Sequence, residues 1–538
     1  MSLNRLNYIN DNLDETRTRK EENNTELILS KLIYNYEPSE SSILRSEITF
    51  EKNNIGIFKK NTSDFFENNL GFNQRTKIVI TKLKAKVNLD KKINKNHVLT
   101  FKAKMNFNYS LNNANNISNN NVFSNEIPIV IDENYSIIQN QKNEAFNIKA
   151  FGKYYWVINR KNHLYFSATK RFTNNHFFSD DFQSLSNNEV NNFLGFNNNL
   201  ISKYNYFNSD VEFKRIFSDI TAEFKLRYEN HNLENLQQET KKIISNSNLV
   251  PEFKLKWEIN SKKELEFTYA SNYNYAPLNN YATGNVVQGF YSIFKGNDKL
   301  NQIKKQNFRL KYSYRKTYGL SIYSSLSFNK NSDIILNAYQ LLNIYTSITP
   351  TQLSIDNETY NTRIKFSYNK PYWNLKYGFR YIRSNSNNLI DNNLLNTKFN
   401  TISNEIDFST KFEKNPNLEV NANFTISNNK TKNLLNNQQR FSVITSLNYD
   451  FKDWKLETNY TFTNFKNIAR FKTQNFFDDL NASIFYNKED SLWSFEAKIY
   501  NLTNNKSNTF TEFGNTSIDQ EQIIVFPRYA MFSIIYKL

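Results

Sequence analysis

The stretch Thr100-Phe101-Lys102-Ala103-Lys104-Met105-Asn106-Phe107-Asn108-Tyr109-Ser110-Leu111 decides the fold. Phe101, Ala103, Met105, Phe107, Tyr109 and Leu111 take alternate positions, and Lys102, Lys104, Asn106, Asn108 and Ser110 fill the gaps. Successive side chains of an extended chain point to opposite faces, so a period of two means a strand with one apolar face and one wet face. Glu252 to Ile259 repeats the pattern, with Phe253, Leu255, Trp257 and Ile259 opposing Glu252, Lys254, Lys256 and Glu258. A charged face on nearly every strand is awkward for a sandwich. It is natural for a wide barrel with lipid outside and water inside.

Working outward, the same alternation yields hairpins joined by short polar turns. The pairs fall at about 28–36 with 43–51, 76–89 with 97–111, 144–157 with 163–172, and 203–216 with 219–230. They continue at about 251–260 with 263–274, 304–315 with 319–330, 357–368 with 372–384, and 400–412 with 418–428. Two more lie at about 440–451 with 454–466 and 474–486 with 491–502, and a last strand runs over about 522–538. Asn369-Lys370-Pro371, Lys452-Asp453 and Asn487-Lys488-Glu489-Asp490 carry residues that set turn dihedrals. With only 10 Gly in the chain, Asn is expected at the left-handed positions. Connections between pairs are longer and polar, so short turns at one end alternate with long loops at the other. An even barrel needs one more strand before the first pair, near residues 1–12, with Leu6-Asn7-Tyr8-Ile9-Asn10 as the candidate. The expected architecture is all-β: one transmembrane antiparallel barrel of about 22 strands over residues 1–538, a single domain.

The Trp residues test this phase. Trp156 and Trp257 precede short turns, and Trp373, Trp454 and Trp493 follow them, so all five fall at one end of the hairpins. Trp favours a membrane interface, where the ring is apolar and its N–H stays wet. Tyr34, Tyr36, Tyr368, Tyr449 and Tyr486 join them in the expected periplasmic girdle.

Composition agrees. The 538 residues include 33 Tyr and 46 Phe, yet mean hydropathy is −0.70, because the aromatics alternate with Asn, Lys, Ser and Thr. The absence of Cys excludes disulfides and thiolate metal sites. No apolar run approaches the roughly 18 residues of a spanning helix, so a membrane crossing must be made by a closed barrel. Met1-Ser2-Leu3-Asn4-Arg5 opens no export signal, so a barrel of this kind is expected to begin inside a longer protein. The net charge of +17 raises nucleic-acid binding, but Lys is spread along every strand rather than gathered in a stripe, and we set nucleic acid aside.

Two stretches resemble TonB-dependent receptors, a family of large outer-membrane transporters. One is Tyr291-Ser292-Ile293-Phe294-Lys295-Gly296-Asn297-Asp298-Lys299-Leu300 before the strand Phe308, Leu310, Tyr312, Tyr314; it is similar to the family's Gly-Asn-Pro-x-Leu element, with Asp298 in place of Pro. The other is the C-terminus: Leu480 to Tyr486, Tyr500-Asn501-Leu502-Thr503-Asn504, and Pro527-Arg528-Tyr529 to Leu538. Family barrels usually end in Phe, and this chain ends in Leu. The resemblance implies an outer-membrane location and uptake of a bulky nutrient such as a glycan, peptide or chelated metal. It implies barrel-assembly machinery reading Phe532, Ile534, Tyr536 and Leu538, and partners in outer-membrane lipid, TonB, a plug and a surface lipoprotein. Signal, regulatory and plug domains have no counterpart in the hairpin pattern. The expectation is a truncated or split receptor that either leaves an open, weakly selective lumen or folds poorly alone. The alternative is a non-transporting barrel, acting as an anchor, adhesin or passive pore, or a decayed receptor fragment.

No catalytic constellation emerges, and we expect neither enzyme activity nor a cofactor. His97, His163, His176 and His231 are single residues placed in turns or loops. Asp180-Asp181 and Asp478-Asp479 are read as solvated loop ends, with calcium as the less favoured role. Lys82, Lys84, Lys86 and Glu252, Lys254, Lys256 form lumen-facing rows that keep the wall wetted. The most site-like segment is the loop over about 275–303, whose Tyr275, Tyr281, Phe290, Tyr291 and Phe294 form a possible ligand surface or pack the loop on itself.

Overall fold

Alternation of Phe, Tyr, Leu and Ile with Lys, Asn, Ser and Thr gives long strands, because the aromatic and β-branched residues pack well on a pleated surface and the polar ones between them face the wet side. In a computed structural model describing residues 2–7, 13–65, 68–121, 127–288, 292–342, 345–431, 434–467, 473–489, 491–513 and 517–536, these strands form one sheet. In chain order they begin with β1 (Ser2–Asn7), β2 (Leu13–Ser39), β3 (Ser42–Phe65), β4 (Asn68–Asn94), β5 (His97–Ser118), β6 (Tyr135–Val157), β7 (Asn162–Ser184), β8 (Val190–Phe217), β9 (Ile220–Gln237), β10 (Thr240–Asn260) and β11 (Lys263–Asn274). After one turn of 3-10 helix at Leu278–Tyr281 come β12 (Asn285–Val287), β13 (Ser292–Lys295), β14 (Ile303–Tyr314), β15 (Gly319–Ser332), β16 (Ile335–Leu342), β17 (Tyr345–Gln352), β18 (Asn357–Asn369) and β19 (Trp373–Ile390). The chain ends with β20 (Asn393–Thr410), β21 (Asn417–Thr431), β22 (Leu434–Phe451), β23 (Trp454–Asn467), β24 (Thr473–Asn487), β25 (Trp493–Tyr500), β26 (Ser507–Phe513), β27 (Ser517–Ile524) and β28 (Tyr529–Tyr536).

Antiparallel pairing runs from β2 to β11 in order, then through β14, β15, β18 and β19 to β24. From β24 it passes to β25, and from β25 to β28. The chain pairs further up as β26 with β27, β27 with β1, and β1 with β2. The path therefore returns to its start. Counting β25 with β26 and β27 with β28 as single interrupted staves, the described residues form a ring of 22 staves, with β12, β13, β16 and β17 lying off it. The expected all-β antiparallel barrel is the observed fold.

Phe101, Phe166, Phe213, Leu310, Ile406 and Leu456 are exposed, each belonging to one outward row of its strand. Their neighbours in sequence, including Lys102, Ser167, Glu212 and Lys311, form the inner row. No helix of the described residues is long and apolar enough to cross a membrane.

Three expectations need correction. The strands are far longer than the hairpin pattern shows: β2 spans 27 residues and β8 spans 28. Most of the expected long loops are continuations of the ladder, because Asn-, Ser- and Thr-rich polar strands still satisfy their backbone groups by pairing. The far-end connection between β9 and β10 is only Gln238-Glu239, both at positive φ, and that between β19 and β20 is Asp391-Asn392, also both at positive φ. Left-handed positions thus fall to Asn188, Asn392, Asn501 and Asn504 as expected, and also to Ser218, Gln238, Glu239 and Lys452. The extra first strand lies within the expected 1–12, at Ser2–Asn7, earlier than the Leu6-to-Asn10 candidate, of which residues 8–10 lie outside the described ones. The last stave is broken between Ile524 and Tyr529.

Candidate functional site

At the far end the inner rows of β6 to β9 carry amides and one acid: Gln139, Asp181, Gln183, Asn198 and Gln237. The loop after β11 folds against them. Asp181 Oδ2 accepts the Val287 N–H at 2.7 Å, and Gln139 Nε2 donates to Val287 O. Asn198 Oδ1 accepts the Gly284 N–H at 2.7 Å and a Gln237 Nε2 bond at 3.0 Å, and Gln237 Oε1 accepts the Thr283 N–H at 3.1 Å. Gln183 treats the loop before β6 the same way: its amide accepts from Val130 N at 2.9 Å and donates to Val130 O at 2.8 Å. In the loop, Asn285–Val287 pair with Ile293–Lys295 on one edge, and backbone groups on an edge with no ladder partner need a replacement. Here the wall's side chains provide it.

Apolar packing completes the latch. Ile127, Ile137, Phe193, Phe196, Val287, Ile293 and Tyr345 form one buried cluster. Leu200, Leu233, Ala276, Tyr281, Ala282 and Leu300 form a second. The Gly296-Asn297-Asp298-Lys299-Leu300 element fits by its shape: a Cβ on Gly296 would lie 2.3 Å from Ala282 O, and Leu300 is wholly buried. Asn297 N donates to Asn280 O at 2.7 Å, its side chain donates to Pro350 O at 3.0 Å, and Asp298 pairs with Lys242 at 3.4 Å. Off the ring, β13 pairs in parallel with β17, so the β16–β17 hairpin joins the same inward-folded mass.

Toward the middle of the wall the inner rows become ionic. Arg227 lies between Asp210, Glu229 and Glu252, at 2.7, 3.3 and 3.0 Å, and Lys225 pairs with Glu252 at 3.4 Å. His231 bonds the Tyr204 hydroxyl at 2.8 Å and Glu229 at 3.3 Å, and its ring meets Tyr275 edge-on. Next along, Lys104, Lys149 and Arg171 are direct cross-strand neighbours on β5, β6 and β7. Like charges placed opposite one another destabilise a sheet. None of the three makes an ion pair with a carboxylate among the described residues.

Asp181 is buried, and burial pushes its carboxyl up to about 7 against the bonds from Val287 and Gln139 that favour the charged form. Asp181 lies near the end of β7 remote from the Val157–Asn162 turn, well beyond the nine to eleven residues that cross a bilayer. Asp132 is held below the usual carboxylate range by the Ser186 hydroxyl and backbone N–H, which clamp the loop before β6 to the turn between β7 and β8.

The sequence-derived candidates divide as follows. Tyr281 is buried in the second cluster and Tyr275 bonds Asn246, so these two pack the loop rather than present a surface. Phe294 is half-buried, and Phe290 and Tyr291 lie outside the described residues. Asp180 and Asp181 are not a solvated loop end: the β7 ladder runs on past them to Ser184. Asp478 and Asp479 lie on β24 and accept from Asn505 and Asn481, each at 2.7 Å. No group of His, Asp and Glu suited to a metal occurs among the described residues. All four His lie on strands instead of in turns or loops, because their turns are tighter than expected. Lys82 and Lys86 pair with Glu51 and Glu47 across strands, and Lys254 and Lys256 with Glu266 and Glu264. Trp156, Trp257, Trp373, Trp454 and Trp493 all lie at the short-turn end, on outward rows. Phe532, Ile534 and Tyr536 share a face of β28, with Leu538 outside the described residues. The residues that sequence reasoning missed are Gln139, Asn198, Gln237 and Arg227. They carry no motif, and only the register brings them together.

No protein-family model matches the chain, and no curated protein matches its sequence. Among solved structures it is similar to the siderophore receptor PiuA from Acinetobacter baumannii, at 8% identity and a TM-score of 0.48, covering 99% of this chain and 81% of that one. The ferric citrate transporter FecA in its unliganded form is similar at 7% identity and 0.46, covering 99% and 78%. The copper transporter OprC is similar at 10% identity and 0.44, covering 98% and 80%.

Proposed function

We propose that this chain is the barrel of an outer-membrane receptor of the TonB-dependent kind, admitting a bulky solute at its far end. One observation carries the reading: a 22-stave ring with an apolar outer row has loops latched onto its inner wall at the far end, above ionic wall rows. A simple anchor has no use for an inner latch. The chain's short-turn end, with its five Trp, faces the periplasm in this reading, and outer-membrane lipid covers the outer row. Of glycan, peptide and chelated metal, an anionic chelate or peptide suits the row Lys104, Lys149 and Arg171 best. A plug, TonB, the assembly machinery and a surface lipoprotein are the partners that follow from the receptor reading.

The test is insertion and selectivity. Exported in a Gram-negative host, the chain should fractionate with the outer membrane and shift on gels when heated. In planar bilayers its current should prefer chloride to potassium, and the anionic chelator nitrilotriacetate should reduce it. Lys149→Glu with Arg171→Glu should abolish both preferences. Failure to insert, or selectivity untouched by the double variant, overturns the reading.

A further inference from the structure

The latch shows what amide side chains on the inner wall do. Gln139, Gln183, Asn198 and Gln237 bond the backbone groups of Val287, Val130, Gly284 and Thr283, and apolar side chains are buried beside them. A Gln or Asn side chain carries the donor and the acceptor of a peptide group, so a wall of amides reads extended backbone.

The same residue types recur on another part of the ring, over β21 to β24. A cavity of about 510 Å³ opens there, on the parts of these strands remote from the short turns. Pockets that hold small ligands run to roughly 300–1,000 Å³. Arg440, Phe465 and Asn475 line it as direct cross-strand neighbours on β22, β23 and β24. Gln438 and Phe477 lie two residues along from them on the same face, and Asn508 of β26 completes the lining. The face is the inner one, because Phe441 and Leu456 of the opposite row are exposed in the outward belt.

The side chains here are uncommitted, unlike those of the latch. Gln438, Asn475 and Asn508 make no side-chain hydrogen bond among the described residues, and Asn475 Nδ2 is buried. Phe465 and Phe477 meet no other ring among them. Arg440 makes no ion pair among them either, and no Asp or Glu is among the described residues that line the cavity. A guanidinium takes a carboxylate through two parallel hydrogen bonds. With a cation and no acid, the cavity suits an anionic chain end and offers nothing to an ammonium. Arg440 and Asn475 are two strand spacings apart, roughly 10 Å, which is the reach of about three extended residues.

We propose that this cavity binds the C-terminal end of a short peptide. The free carboxylate meets Arg440, an apolar last side chain lies against Phe465 and Phe477, and the preceding peptide groups bond Gln438, Asn475 and Asn508. The proposal names a substrate class for the receptor reading and rests on it, since the far end faces the outside only in that reading. An acidic sugar shares the carboxylate but not the run of N–H and C=O groups that the amides match.

The full chain in detergent micelles is titrated calorimetrically with the tripeptide Ala-Ala-Phe, with its C-terminal amide and with digalacturonate. The free acid should bind about tenfold more tightly than the amide, the worth of one charge-assisted contact. Arg440→Gln should erase that difference and Arg440→Lys should restore part of it, which a merely structural role would not do. Arg440 has no partner to lose among the described residues, so both variants should keep the heat-shift of the folded barrel. Phe477→Ala should cost Ala-Ala-Phe more than it costs Ala-Ala-Ala. The proposal is overturned if acid and amide bind alike, if digalacturonate binds more tightly than the tripeptide, if the difference survives Arg440→Gln, or if Phe477→Ala costs both peptides equally. It is overturned too if Lys149→Glu with Arg171→Glu, and not Arg440→Gln, erases the difference. Failure of the receptor reading would appear separately, as missing insertion or missing chloride preference in a chain that still binds the peptide in micelles.

Discussion

The wall from β6 to β10 and the seam between β28 and β2 are built from the same alternating sequence, and they end in opposite states. In the wall, Glu229, His231, Leu233 and Asn235 of one inner row are all buried, covered by a folded loop and paired across strands. At the seam, Leu27, Ile28, Leu29, Leu32 and Ile33 are all exposed, whatever their face. Alternation thus selects strands and faces, while burial depends on having a neighbour at each edge and a cover on the inner side. The two regions should then respond very differently to the same kind of change.

The largest difference is expected for charge removal. Arg227→Met in the wall removes the cation that meets Asp210, Glu229 and Glu252 together and leaves Asp210 and Glu252 to Lys225 alone, and breaking such a network costs about 3 kcal/mol. Lys31→Met near the seam breaks a pair with Glu47 at 3.6 Å between half-exposed groups, and should cost about 0–1 kcal/mol. Urea midpoints of the two variants in micelles check the comparison; equal shifts would mean that the wall network is solvated.

Added volume should discriminate next. Gly296→Val drives a side chain into Ala282 O, and overpacking of this kind costs about 1–3 kcal/mol. The loop should undock, protease should cut it between Gly284 and Lys295, and bilayer current should rise while the heat-shift of the barrel persists. Gly56→Val on β3, where nothing lies within 4 Å of the new Cβ, should leave stability unchanged or improved.

The pH response of the latch is smaller. The docked loop raises the Asp181 carboxyl to about 7, so the docked state binds this proton more tightly than the undocked state does. Docking is then helped fully below the ordinary carboxylate value, and the help is lost as pH rises through about 7. Cleavage of the loop should therefore speed up between about pH 4 and 7 and level off above that. Asp181→Asn keeps an oxygen for the Val287 N–H and should flatten that profile. An unchanged profile would assign the pH response elsewhere.

Much of the fold is legible in the sequence because alternation is local. Thr100 to Leu111 declares its two faces without any partner. The tight far-end turns went unread, although Asp391-Asn392 carries the residue types that tolerate positive φ in a two-residue turn. Gln238-Glu239 does not: both residues are poor choices for positive φ, so the far end of the β9–β10 hairpin reads as loop. The candidate site was less legible. Gln139, Asp181, Asn198 and Gln237 are separated by up to 98 residues, and each looks like any other polar strand residue. What unites them is register across four strands, and no local pattern encodes that. The aromatic loop was found, but Tyr281 went inside, because a ring in a folded loop gains more from Leu200, Leu233 and Leu300 than from water.

The smallest effect separates two Trp pairs at the short-turn end. Trp454 of β23 meets Tyr486 of β24 at 4.8 Å, and Trp493 of β25 meets Tyr536 of the last stave at 4.7 Å. Each aromatic pair contributes about 0.5–1.5 kcal/mol beyond its area. Trp454→Ala should cost about 1 kcal/mol, because β23 and β24 are held by ladders on both sides and Tyr486 cannot move to recover the contact. Trp493→Ala should cost less, because Tyr536 lies in a stretch that, among the described residues, pairs with β25 alone and can shift. The measurement is the difference in urea midpoint between the two variants. Equal midpoints would mean that the second ladder does not hold Tyr486 in place, and the contrast between the two pairs ends at the backbone edges.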